Sequence, residues 1–305
     1  MSDGSSAERQ RRLTVIVAAL VVVAIALVLV TGPLKGGSGG SSTAATTTAA
    51  APRADSAAAS TAAAAGSAPK PATGNYRGPV PILMYHVIKA PTASTPMAEL
   101  WTPAETFKAT IALLKKDGYS GVTLDQVWQA WHGGPGLPAK PLVVSFDDGY
   151  LSHSVTAKPI LQAAGWPGVL NLEGKNIGKG GLTATQVEGL IAAGWEIDSH
   201  TLTHPDLTTL DDATLTTELA DSRKLLQTKF KVPVNFFCYP AGVNDARVRA
   251  AVEAAGYEGA TTVEPGIASK SDNPYLLPRI RVNGTDSAAT VAGRVSTGNG
   301  VSGGY

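Results

Sequence analysis

Hydrophobic side chains fall along this chain in three regimes. Residues 13–30 are almost all apolar, with Thr14 the one polar interruption. Residues 36–78 are mostly Ala, Thr, Ser, Gly and Pro, with few large apolar side chains. From residue 79 onward, short apolar runs alternate with stretches whose apolar residues recur every three or four positions. The short runs predict strands at 80–88, 141–146, 169–172, 195–198, 234–239, 257–262 and 276–282. The periodic stretches predict helices at 103–118, 151–164, 183–193, 211–230 and 244–255. Gly165, Gly194 and Gly256 sit where the second, third and fifth of these should stop, as C-terminal glycines do.

Strands alternating with helices imply βαβ units around a parallel sheet. The expected fold is therefore α/β, a distorted or incomplete (β/α) barrel of about seven strands. It spans residues 79–293 and leaves 294–305 as a Gly- and Ser-rich flexible tail. In such barrels the chemistry gathers where strands end. Asp147 and Asp148 follow the strand at 141–146, and His200 follows the one ending near Asp198. Residues 239–242 close the strand that starts at Val234. All three segments are expected on one rim.

The apolar run follows Arg9, Arg11 and Arg12. Its residues, about 18 at 1.5 Å each, span about 27 Å, a bilayer's hydrocarbon core. Flanking arginines keep residues 1–12 in the cytoplasm, so the expectation is a single-pass anchor at 13–30 with everything after it extracytoplasmic. The alternative is a cleaved signal peptide and a secreted form; the run is long for one, and 31–35 makes a poor cleavage site. Residues 31–78 read as a flexible linker that cannot bury enough surface to order itself. Charged residues are 16% of the 305, below the usual ~25%, and the deficit lies in these first two regimes. A net charge of +1 gives no support to a nucleic-acid partner. The single cysteine, Cys238, rules out an intrachain disulfide and reads as a small buried hydrophobe.

Two constellations carry chemistry. Ser145-Phe146-Asp147-Asp148-Gly149-Tyr150 sets adjacent carboxylates at the mouth of a buried strand. Consecutive strand residues face opposite ways, so both reach one site only if the strand breaks, which Gly149 permits; the alternative is a plain Asp-Gly turn. His200-Thr201-Leu202-Thr203-His204 places imidazoles four apart, a spacing that in a helical turn puts both on one face. The alternative there is a pair of surface histidines. Two histidines and a carboxylate leave a position open, the pattern of a catalytic metal site.

With these motifs in hand, residues 80–282 resemble the NodB-homology polysaccharide deacetylases, carbohydrate esterase family 4. Phe237-Cys238-Tyr239-Pro240-Ala241-Gly242 is similar to that family's third motif. The resemblance implies that Asp148, His200 and His204 hold one divalent ion, zinc before cobalt or nickel. It implies Asp147 as general base and the Ala241 N–H as an oxyanion donor. The sequence departs from the family twice: Cys238 stands where an arginine usually orients the base, and Arg279 where a histidine acid is usual. The segment Pro81-Ile82-Leu83-Met84-Tyr85-His86 resembles the poly-N-acetylglucosamine deacetylase subgroup, which implies His86 as the acid. His132 is expected exposed in its loop and His153 solvent-facing. The five tryptophans offer sugar-stacking faces but singly read as core.

The resulting expectation is a monomeric hydrolase domain that removes N-acetyl groups from a GlcNAc-containing cell-wall or extracellular polysaccharide. An O-acetyl polysaccharide esterase, a catalytically impaired carbohydrate-binding protein and a small-amide hydrolase are the rivals.

Overall fold

The computed structural model describes residues 73–178 and 180–299. The apolar run at 13–30 and most of the linker lie outside the described residues. Among the described residues no helix is long and apolar enough to cross a membrane. Ordered pairing starts upstream of residue 79, where Gly74 and Tyr76 bridge antiparallel to Gly136 and Leu137.

The strands are β1 (Ile82–Tyr85), β2 (Ser120–Gly121), β3 (Pro141–Asp148), β4 (Val169–Leu172), β5 (Glu196–Ser199), β6 (Phe236–Cys238), β7 (Gly259–Pro265) and β8 (Leu277–Arg281). Between them run α1 (Ala104–Lys116), α2 (Leu124–Trp131), α3 (Lys158–Ala164), α4 (Ala184–Ile191), α5 (Asp212–Thr216), α6 (Ser222–Phe230) and α7 (Ala246–Ala254), and α8 (Ala288–Thr297) follows β8. All the strand pairs are parallel. From β3 to β8 each strand neighbours the next, β8 pairs with β1, and β1 pairs back on β3. Seven strands thus close a ring, while β2 lies beside the first two residues of β3. The ring is distorted: β1 and β3 share four residue pairs, whereas β5 and β6 share only Ser199 with Phe237.

Side-chain alternation sorts the strands into an outer and an inner face. On β3, Leu142, Val144 and Phe146 join the outer core with Phe107, Ile111, Leu161 and Leu190 from the helices. The inward residues change character along the barrel. At the base, Ile82, Val143, Val169, Phe236 and Leu277 pack with Leu124, Val127 and Trp131 of α2, which plugs that end. Further up the same faces come Ser145, Asp147, Asn171, Cys238 and Arg279, all buried. Polar groups concentrate at the strands' C-terminal ends.

Several elements differ from expectation. α2 was not predicted, although Thr123 caps it in a reciprocal box with Gln126. α8 runs past residue 293, where a flexible tail was expected, because Ser287 caps it and Val291 and Val295 are buried. The expected helices at 151–164 and 211–230 each contain a π-helical segment, His153–Ala157 and Thr217–Asp221. Such wide turns recur at functional sites. Trp131, Trp166 and Trp195 are buried in the core.

Candidate active site

The strand break at the paired aspartates is at Asp148 itself, whose φ is 78°, followed by Gly149 at 99°. A non-glycine residue in the left-handed region costs free energy and clusters at active sites. Gly149 cannot be replaced cheaply, since any side chain is strained at that φ, and its Cβ would also displace Leu172 Cδ1, 2.5 Å away. The break turns neighbouring carboxylates to different partners.

Asp147, 1% exposed, is gripped by Arg279 from β8. The guanidinium Nη1 donates to Oδ1 and Nη2 to Oδ2, each at 2.8 Å. Asn171 on β4 donates a third hydrogen bond to Oδ1 at 2.7 Å. Arg279 is itself held by the Thr262 carbonyl, which accepts from Nε at 2.8 Å. Burial alone would raise the Asp147 pKa, but the Arg279 charge outweighs it and holds the carboxyl well below the usual range. The arginine on Asp147 thus comes from β8, not from the third motif on β6. Both departures meet in this one contact: Arg279 is no proton donor, and its guanidinium lies on Asp147 while Cys238 offers none.

Asp148 instead faces imidazoles, with Oδ1 3.4 Å from His200 Nε2 and 3.7 Å from His204 Nε2. The histidine pair does not meet through a helical turn, as its spacing suggested. Residues 200–206 are irregular, and Thr201 and His204 have φ of 68° and 60°. Glu218, from the second π segment, holds this loop by accepting from the Leu202 N–H, the Thr203 N–H and the Thr203 hydroxyl. His204 N–H adds a bond to Thr201 Oγ1 at 2.8 Å. The His200 Nδ1–H donates to the Cys238 carbonyl at 2.7 Å, which turns Nε2 toward Asp148; in the neutral ring that nitrogen carries the lone pair a cation would take. Burial, then the neighbouring His200, lowers the His204 pKa to about 4, so that ring is neutral and ligand-ready at pH 7.

These three groups fit a divalent cation. Their ligating atoms lie within 4.8 Å of one another. Ligand atoms on a tetrahedral zinc, at about 2.0–2.1 Å from it, stand roughly 3.4 Å apart, matching the Asp148–His200 gap. A second group, Asp147, His200 and Cys238, is equally compact. It fits worse, because both Asp147 oxygens are committed to a guanidinium whose charge would repel the ion.

His86, just past β1 and 4% exposed, reaches the same place with Nε2 3.8 Å from Asp147 Oδ2. Burial lowers its pKa, opposed by the charge of Asp147. Ala241 lies in the turn after β6 with φ 50°. His132 is exposed as expected. His153 is not: it is fully buried, since the π segment turns it inward. Sequence reasoning also missed Glu173, 6% exposed at the end of β4. Asn176 Nδ2 bridges it to the Asp148 carbonyl, at 2.8 and 3.0 Å, and burial, then the Asp148 charge, raises its pKa to about 7.

A sequence model of the family described as Polysaccharide deacetylase matches residues 135–260. YxkH of Bacillus subtilis strain 168, which bears the polysaccharide deacetylase name, is 32% identical over 205 residues, 67% of this chain and 71% of its own length. The chain belongs to the polysaccharide deacetylase family. A shorter stretch of 58 residues is 47% identical to the poly-beta-1,6-N-acetyl-D-glucosamine N-deacetylase of Escherichia coli K12, covering 19% of this chain and 9% of that protein. The solved Streptococcus pyogenes deacetylase PplD, in complex with acetate, matches with a TM-score of 0.66 at 24% identity, over 70% of this chain and 97% of its own. That likeness is one of fold. In this deacetylase the paired aspartates and both histidines stand together on the C-terminal rim of the barrel.

Proposed function

We propose that this chain hydrolyses N-acetyl groups on a GlcNAc-containing extracellular polysaccharide, with a divalent cation, zinc first, held by Asp148, His200 and His204. Neighbouring aspartates with opposite attachments carry this reading: Asp147 locked to a guanidinium, Asp148 open to two imidazoles. When bound, the cation polarises the acyl carbonyl and acidifies water. Asp147, held ionised and oriented by Arg279 and Asn171, stands ready as the proton acceptor at any ordinary pH. His86 Nε2, 3.8 Å from Asp147 Oδ2, delivers a proton to the leaving nitrogen. Burial favours its neutral form, so the proton it gives is the one Asp147 has taken. The Ala241 N–H, on the turn after β6, donates to the developing oxyanion.

The substrate class draws support from the printed activity of the Escherichia coli relative, whose matching stretch is short. The reading also includes a membrane anchor at 13–30 and a monomeric domain on a linker, which would let the site reach a fixed polymer.

The test is acetate release from N-acetylated GlcNAc oligomers by the metal-loaded full-length chain. Turnover should vanish with chelator and return with zinc. Asp147→Asn should lower kcat by about 10²–10⁴-fold. A chain that releases acetate only from O-acetylated sugars, or an Asp147→Asn variant at the parent rate, would overturn the assignment.

A further inference from the structure

We infer that His153 is a positioning residue for His86, setting the imidazole's place through a hydrogen bond to the His86 carbonyl. The inference rests on the proposed role of His86 as the acid. His153 Nε2 lies 2.6 Å from the His86 carbonyl oxygen. A carbonyl only accepts, so Nε2 carries the proton and the tautomer is fixed. Two residues further on, the Ile88 N–H donates to Ser152 Oγ at 3.0 Å. Adjacent side chains, Ser152 and His153, thus hold both ends of the turn that leaves β1.

The ring is locked in turn. His153 is fully buried, with its centroid 5.1 Å from that of Phe146 and 5.8 Å from that of Tyr150. Those two rings bracket the paired aspartates in sequence. His153 therefore ties the His86 turn to the segment that carries the proposed base.

The burial is costly, which argues for a purpose beyond packing. His153 Nδ1 is buried with no hydrogen-bond partner among the described residues, and such an orphaned acceptor has lost its water with nothing in return. An apolar side chain at this position would avoid that loss, so the Nε2–H is what distinguishes histidine here. Desolvation lowers the His153 pKa to about 4, so the ring stays a neutral single donor at working pH. The π segment beginning at His153 supplies the rotation that brings it inward.

Four variants of the metal-loaded full-length chain test this on N-acetylated GlcNAc oligomers: His153→Leu, His153→Gln, His86→Ala and the double variant His86→Ala with His153→Leu. In His153→Leu, kcat should fall about tenfold to a hundredfold, with KM within about twofold. His153→Gln keeps an amide N–H at similar reach and should recover most of that loss. In the His86→Ala background, adding His153→Leu should cost nothing further. Equal losses in Leu and Gln variants, or a further loss in the double variant, would overturn the positioning role while leaving His86 as the acid. Parent-level turnover of His86→Ala would remove the acid itself. Crystal structures give a readout independent of turnover: the His86 ring should shift by about 1 Å in His153→Leu and stay in place in His153→Gln. An unmoved ring in the Leu variant would sink the inference, whatever reaction the site performs.

Discussion

The two ends of the barrel each bury carboxylates, and they settle into opposite states. At the rim, Asp147 meets a guanidinium and three donated hydrogen bonds, and is held ionised. At the base, Glu196 and Asp198 of β5 meet no cation among the described residues. Glu196 Oε2 accepts from the Asp125 N–H on α2, and Asp198 Oδ1 from the Phe236 N–H on β6. Their remaining oxygens, Glu196 Oε1 and Asp198 Oδ2, are buried without a donor among the described residues. Two such acceptors beside each other are satisfied only by a shared proton. Burial, then the neighbouring carboxylate, accordingly raises Glu196 well above its usual value, and burial raises Asp198 to about 7. The residue type is the same at both ends. A carboxylate is kept ionised by one arginine from β8, two strands away around the ring, and kept protonated by withholding it.

Breaking the rim should have the largest effect. Arg279→Met leaves Asp147 buried and unpaired, which costs about 3–5 kcal/mol of stability and turnover with it. Arg279→Lys should rescue poorly, because an ammonium cannot make the two-pronged bond. Thermal melts and acetate release check both; a Lys variant at parent activity would show that charge alone suffices. The other half of the rim responds more mildly. Glu218→Gln removes the carboxylate that holds the 201–204 loop, and metal affinity should fall about 10–100-fold in a chelator competition, with the fold intact. Unchanged affinity would mean the loop needs no such support.

The smallest effect is expected at the base. A carboxyl whose folded pKa is raised binds its proton more tightly in the fold than in the open chain. Stability from this pair is therefore full at acid pH and falls as pH rises from near 4 through about 7. Glu196→Gln replaces the shared proton with a permanent N–H. Between pH 5 and 8 the variant should lose less stability than the parent, by on the order of 1–3 kcal/mol. His153 and His204, lowered to about 4, act with the opposite sign at low pH in both proteins and cancel in the difference. Superimposable pH profiles for the two would dismiss the shared proton.

Much of the rim was legible in the sequence because its residues are of scarce types at strand ends. Asp147, Asp148, His200 and His204 needed only the strand boundaries to be brought together. Partnership was harder to read. Arg279 lies 132 positions from Asp147, and only ring closure makes them neighbours. The His200–His204 spacing pointed to a helical turn, but the actual loop relies on left-handed residues, which no periodicity announces. Two signals were present and went unread. Glu218 falls on the buried stripe of Leu215, Leu219, Ser222 and Leu226. His153 heads the stripe continued by Ala157 and Leu161. A polar residue on the apolar face of a helix is a request for a partner. α2 and α8 were missed although their capping residues, Thr123 with Gln126 and Ser287, were in view.

Ring closure also sets when this protein becomes competent. Asp147 stands on β3, with His86 just past β1 on one flank and Arg279 on β8, the last strand to be synthesised. β1 pairs with both β3 and β8. A nascent chain carries the aspartates and histidines long before β8, yet Asp147 remains ungripped until residue 279 docks. Termination between residues 242 and 279 would yield a polypeptide with all three motifs of the site and no guanidinium on Asp147, so the full arrangement is reserved for chains that reach β8.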